Sequence, residues 1–318
     1  MNYLSSEITP MTQLLIDYLK EQFEKYSSKD CDRYLKENYK WSVGESFIKK
    51  SEESSLPMAN GGKEFLDRIK KIMSEKGVGS AKSVSLDLEM TFILRKIFSD
   101  YFTEFETINE NHIPFIVNSW GGIDVKDAKL FVDKYLSEFK EGDPRVQYER
   151  ISSSTKVLSF YRPTEYVIYD SRVIFSLNWL IFRFNLINPK DGGAKFKFFP
   201  QPSSENGVVK RLNYSALLVA SNTEAGEILR GDLKRVHSDG GKTRFNSLIA
   251  KAIEFDKDDA YKHYVSLLRC LSRKLLPDDD WALTKVEMML FAVADKNIAA
   301  DILNYSAFMY REMANNHG

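Results

Sequence analysis

Apolar positions recur along most of this chain at intervals of three and four, the spacing of a helix that buries one face. Over residues 11–26 the pattern puts Leu14, Leu15, Tyr18, Leu19 and Phe23 on one side, which predicts a core helix. The same reading predicts helices over 63–75, 83–100, 124–140 and 154–161. Asp124 is a good N-cap for the third of these, and Gly142-Asp143-Pro144 is a stop signal after it. A strongly apolar helix, SRVIFSLNWLIFRFNLI, is predicted over 171–187, and others over 212–221, 245–255, 260–275, 281–295 and 298–313. Residues 51–62 combine Ser, Glu, Pro and a Gly pair in a polar loop, and 188–209 form a long irregular stretch of the kind that tends to carry function. Alternation with a period of two is scarce, so short strand pieces are expected only near 113–117 and 195–199. The fold class is all-α.

Composition narrows this picture. With 318 residues, 43% hydrophobic and 28% charged, the chain can bury a real core, as one large domain or as two. Lys plus Arg and Asp plus Glu are both 45, which excludes a chain-wide basic field. Cys31 and Cys270 are the two cysteines, too few for a cysteine-ligated cluster, and unpaired thiols fit a reducing cytoplasm. The apolar run 173–186 is short and interrupted by Asn178 and Arg183, so it reads as a buried helix and not as a membrane span. His237 and His263 have no partner at metal-ligand spacing. No metal, no cofactor and no membrane partner are expected, and the protein is expected to be monomeric.

Charge is uneven, however. Between Arg145 and Arg211 there are eleven basic and five acidic residues, a net +6 that leaves −6 for the remainder. Basic side chains interleaved with Tyr161, Phe196, Phe198 and Phe199 suit a phosphate backbone and an unstacked base, and they equally suit a solvated face beside a core helix.

Within this window the stretch ISSSTKVLSFYRPTEYVIYDSRV, residues 151–173, resembles the catalytic segment of the helix–hairpin–helix DNA glycosylase superfamily, particularly its oxoguanine-glycosylase-like bacterial branch. In that superfamily a hairpin and the helix after it carry a small-residue turn and, in some members, a Thr-Lys pair. A loop then delivers an aspartate at the start of the next helix. Here Ser154-Thr155-Lys156 begins the first helix, Arg162-Pro163 ends it and Asp170 opens the second. The resemblance implies Asp170 as the catalytic carboxylate and Lys156 as a candidate catalytic lysine. The family's Pro-Gly-x-Gly turn is replaced by Ile151-Ser152-Ser153-Ser154, so Ser153 and Ser154 hydroxyls and helix N-terminal amides would take over phosphate binding.

Asp170 is also a standard N-cap, and the two roles are compatible. Helix amides and the positive end of the helix dipole favour a negative charge there, and a fixed carboxylate stabilises the oxocarbenium-like sugar formed as a glycosidic C–N bond breaks. Lys156 admits three readings: a desolvated amine nucleophile that permits strand cleavage, an exposed phosphate contact, or an inert surface charge. Tyr161, Arg162 and Arg172 flank the aspartate and are expected to line the site together with Lys195 and Lys197. Gln201 and Ser203 in the long loop suit reading a base edge. His112 and Trp120 read as structural.

The resemblance implies two helical subdomains flanking a cleft. Residues 1–82 would supply N-terminal helices packing with the C-terminal part, 83–170 a subdomain containing the hairpin-like segment 145–161, and 171–318 the catalytic helix start, the long loop and the C-terminal helices. It also implies a DNA glycosylase acting on a flipped, modified or damaged base, in DNA repair or phage defence. The competing expectation is a non-catalytic helical module that binds nucleic acid or protein, with Asp170 as a cap only.

Overall fold

The computed structural model describes residues 9–44, 47, 49–50, 56–75, 83–106, 109, 111–123, 146, 148–188, 196–202, 209, 212 and 254–315. Among these the chain is mostly helical. In order come α1 (Pro10–Tyr26), α2 (Cys31–Asn38), β1 (Trp41–Gly44), α3 (Gly62–Glu75), β2 (Ser83–Leu86) and α4 (Leu88–Phe105). A single α-turn at His112–Pro114 runs into π-helical turns at Phe115–Trp120. Then follow α5 (Ile151–Tyr161), α6 (Ser171–Ile187), α7 (Lys257–Leu275), α8 (Ala282–Val293) and α9 (Ala299–Asn315).

Local chemistry sets many of these boundaries. Thr9 caps α1 by accepting the Thr12 N–H at 3.2 Å, with Pro10 in the first turn where its missing N–H costs nothing. Asp87 caps α4 by accepting the Met90 N–H at 2.9 Å. That cap explains why the helix expected from Ser83 begins five residues later. Ser83-Val84-Ser85-Leu86 alternates with a period of two and pairs antiparallel with β1, Trp41 opposite Leu86 and Val43 opposite Val84.

Two expected strand pieces take other forms. Residues 113–117 are helical, because a short and largely buried apolar run packs as readily in a helix turn as in a strand. Among the described residues of the other piece, 196–199, only Phe198 forms a bridge, parallel to Glu254. The expected helices over 124–140 and most of 212–221 and 245–255 lie outside the described residues.

The chain divides into two units. One comprises Asp30–Tyr169 and Leu276–Glu287, the other Asn2–Lys29, Asp170–Leu275 and Met288–Gly318. Residues 30–82 thus fall in the first unit together with Leu276–Glu287 of the C-terminal part, and Asn2–Lys29 fall in the second. The core of the first unit joins Phe47, Phe98, Phe115, Trp120, Val157 and Phe160, with α4 packed on α5. Full burial of each such side chain stabilises by roughly 1.5–3 kcal/mol, so this aromatic cluster is the main source of cohesion. The unit also buries an ion pair, Arg95 to Glu287 at 3.1 Å, with Thr284 beside it donating to the Pro163 carbonyl at 3.1 Å. In the second unit α1 packs on α6 and α7 through Leu15, Leu19 and Phe23, and Lys274 of α7 pairs with Asp17 of α1.

Candidate active site

Asp170 is the N-cap of α6. Its backbone is extended (φ −96°, ψ 154°), and Oδ1 accepts the Arg172 N–H at 2.9 Å. The Arg172 guanidinium does not pair with it. That group lies over the Phe291 ring at 4.7 Å and 3.7 Å from Asp295. The half-buried carboxylate is therefore held by a backbone amide at the positive end of a 17-residue helix, with no ion pair to neutralise it among the described residues.

The residue before it is held from α5. Tyr169 is fully buried, its N–H donates to Thr155 Oγ1 at 2.9 Å, and its carbonyl accepts from Ser152 Oγ at 2.9 Å. Thr155 Oγ1 in turn donates to the Ile151 carbonyl at 2.7 Å. The serine and threonine run faces inward: Ser153 and Ser154 are buried, and Ser154 Oγ donates to the Arg150 carbonyl at 3.1 Å. A phosphate contact needs hydroxyls that face solvent, which these two do not.

Lys156 is also interior, 2% exposed, which overturns its reading as a surface charge or an exposed phosphate contact. Its Nζ donates to the Gly121 carbonyl at 3.0 Å and lies 5.7 Å from the centre of the Trp41 ring. Trp41 stacks on Trp120 at 4.7 Å and donates its Nε1–H to the Trp120 carbonyl at 2.8 Å. Two side chains thus capture successive carbonyls at the end of the π-helical turns. Gly121 makes the approach feasible, since a Cβ there would stand 2.5 Å from the Val117 carbonyl oxygen and 3.1 Å from Lys156 Cδ.

On the second unit, Gln201 is placed at the start of α6. Its Nε2 donates to the Ser171 carbonyl at 2.6 Å, while Oε1 is buried with no hydrogen-bond partner among the described residues. Two asparagines seven positions apart on α6 hold the segment leading to it. Asn178 exchanges two bonds of 2.8 Å with the N–H and carbonyl of Phe199, and Asn185 makes the same pair with Phe196 at 3.2 and 3.0 Å. Side-chain amides therefore pair the backbone groups of Phe196 and Phe199 on either side of the Phe198 bridge. The Asn178/Asn185 spacing in an otherwise apolar helix is the sequence signal for this, whereas nothing local in the chain marks Ser152, Thr155 or Gly121 for the bonds they make.

The remaining predicted residues scatter. Tyr161 is core, bonded through its hydroxyl to His112 Nδ1 at 2.8 Å, and burial lowers the His112 pKa to about 4. Arg162 lies over Phe102 at 5.2 Å and 3.7 Å from Glu165. Lys197 is exposed, and Lys195 and Ser203 lie outside the described residues. Asp170, Arg172 and Gln201 thus gather on the second unit, and Lys156, Ser153, Ser154, Tyr161 and Arg162 belong to the first. A cavity of about 390 Å³ between α1, α6 and the start of α9, lined by Tyr18, Lys25, Arg183 and Asp301, opens near the far end of α6. Thirteen residues, or about 20 Å of helix, separate Arg183 from Asp170, so this cavity is not part of the candidate site.

No group of three or more His, Cys, Asp or Glu side chains among the described residues is placed to hold a metal ion, and no helix among them is long and apolar enough to cross a membrane. Comparison with protein-family models, curated proteins and solved structures finds no match for this chain.

Proposed function

We propose that this chain is a cytoplasmic DNA N-glycosylase, built on the helix–hairpin–helix plan, that hydrolyses the bond between deoxyribose and a modified or damaged base. The observation that carries the reading is Asp170, a carboxylate held at a helix mouth by the Arg172 amide and lacking a neutralising cation among the described residues. As the C1′–N bond breaks, its electron pair leaves with the base and the sugar becomes cationic. Asp170 stabilises that charge and accepts a proton from the water whose oxygen bonds to C1′. The departing base takes up a proton from solvent, so base and abasic sugar are the products. Gln201 supports recognition of a flipped base, because its buried Oε1 offers an acceptor beside the same helix start.

The test is base release from duplex and single-stranded oligonucleotides, each carrying one base from a panel that begins with 8-oxoguanine, read by mass spectrometry of the freed base. Asp170→Asn keeps a capping side chain and removes the charge. It is expected to slow release by about 100-fold or more while leaving the thermal midpoint within a few degrees. Unchanged release in this variant would refute the assignment, and a wild type that frees no base from any substrate would favour the non-catalytic binding module.

A further inference from the structure

We infer that Thr155, assisted by Ser152, is a positioning residue for the Asp170 carboxylate, an inference that rests on the glycosylase reading. Tyr169 is peptide-bonded to Asp170, and both backbone polar groups of Tyr169 end on hydroxyls of α5. The surroundings leave the N–H no cheap alternative. Tyr169 is 0% exposed and Thr155 is 0% exposed, so an N–H released from Thr155 Oγ1 finds no water to replace it.

Thr155 is suited to the task because its hydroxyl is used in both senses. It donates to the Ile151 carbonyl at 2.7 Å, which fixes the rotamer, and thereby turns a lone pair toward the Tyr169 N–H at 2.9 Å. Ser152 lies one helical turn earlier on the same side of α5 and takes the carbonyl of the same residue. Two hydroxyls three positions apart therefore grip one residue at both ends. The next backbone group is the amide of Asp170, whose own carbonyl accepts the Ile174 N–H at 3.0 Å to begin α6. The dihedral angles that aim the carboxylate follow directly after the grip. A carboxylate that must face a reacting sugar loses rate steeply when misplaced, by up to about 100-fold for 1 Å.

Thr155→Val keeps the shape and removes the hydroxyl, and Thr155→Ser restores it. In steady-state base release, Thr155→Val is expected to lower kcat by about 10- to 100-fold with KM within about twofold, and Thr155→Ser to stay within about threefold of wild type. Amide hydrogen exchange gives a readout that needs no activity: the Tyr169 N–H is expected to exchange at least about tenfold faster in the valine variant and near the wild-type rate in the serine variant. If Thr155→Val folds poorly, Ser152→Ala tests the weaker half of the grip, with a smaller loss of kcat expected. An active enzyme whose kcat is indifferent to Thr155→Val, or a serine variant as impaired as the valine one, would overturn the inference. An inactive wild type whose exchange pattern follows the hydroxyl would refute the glycosylase reading and uphold the grip.

Discussion

His112 Nδ1 and the Tyr161 hydroxyl lie 2.8 Å apart in the core of the first unit, joining the turn before the π-helical segment to the end of α5. The ring also meets Phe98 and Tyr101 edge-on, at 5.1 and 4.7 Å. A histidine so enclosed is bound as the neutral imidazole, and burial lowers its pKa from 6.5 to about 4.

A pH dependence of stability follows from this burial. The unfolded chain binds a proton at His112 near pH 6.5 and the folded chain only near 4, so the contribution is fully present above pH 6.5 and is lost as pH falls toward 4. Its full size is about 3 kcal/mol. Glu254, pushed up to about 7 by burial, titrates with the opposite slope, and its effect cancels when wild type is compared with a variant that retains it. Urea unfolding of wild type and His112→Asn at pH 4, 5, 6 and 7 is expected to show the wild-type advantage growing with pH across this range. Parallel curves would show that the imidazole is not desolvated.

The Lys156 contact predicts a coupled pair. Gly121→Ala forces a Cβ against the Val117 carbonyl and the lysine stem, and overpacking of that kind costs about 1–3 kcal/mol. Lys156→Met leaves the Gly121 carbonyl without this partner, at a cost of about 1–3 kcal/mol. Because each variant disturbs the same contact, the double variant is expected to cost less than the sum of the two in a denaturant-midpoint cycle. Additive costs would mean that the amine is not held there. An amine engaged in this way also predicts hydrolysis without a lysine adduct: borohydride added during turnover should trap no covalent protein–DNA product at Lys156.

Asn178 holds the segment around Phe199. Asn178→Leu keeps a branched side chain in an apolar helix but removes the partner of the Phe199 N–H and carbonyl, and both bonds are buried. A loss of about 2–4 kcal/mol is expected by urea unfolding, and a smaller one for Asn185→Leu, whose bonds to Phe196 are partly solvated. Tighter folding of Asn178→Leu would indicate that the Phe199 backbone pairs elsewhere.

Much of the helical scaffold could be read along the chain. The boundaries of α6 at Ser171 and Ile187 coincide with the predicted ones, and α1 and α3 differ by one residue at their starts. Caps and three-to-four periodicity are properties of a dozen consecutive residues, which is why they were legible. The strand pair was not, because Trp41–Gly44 and Ser83–Leu86 are each four residues long and each is a strand only in the presence of the other.

By itself, then, the sequence determined a helical chain, the strongly apolar α6 and an aspartate at its mouth, all consequences of local hydrogen bonding and of one buried face. Tertiary structure decided the direction of everything polar around that aspartate. The hydroxyls of Ser152 and Thr155 turn to Tyr169, the Lys156 amine to Gly121 and the Asn178 amide to Phe199, over separations of 17, 14, 35 and 21 residues. A polar side chain in a core goes wherever an unpaired backbone group awaits it, and the position of that group is known only once the distant segments have packed.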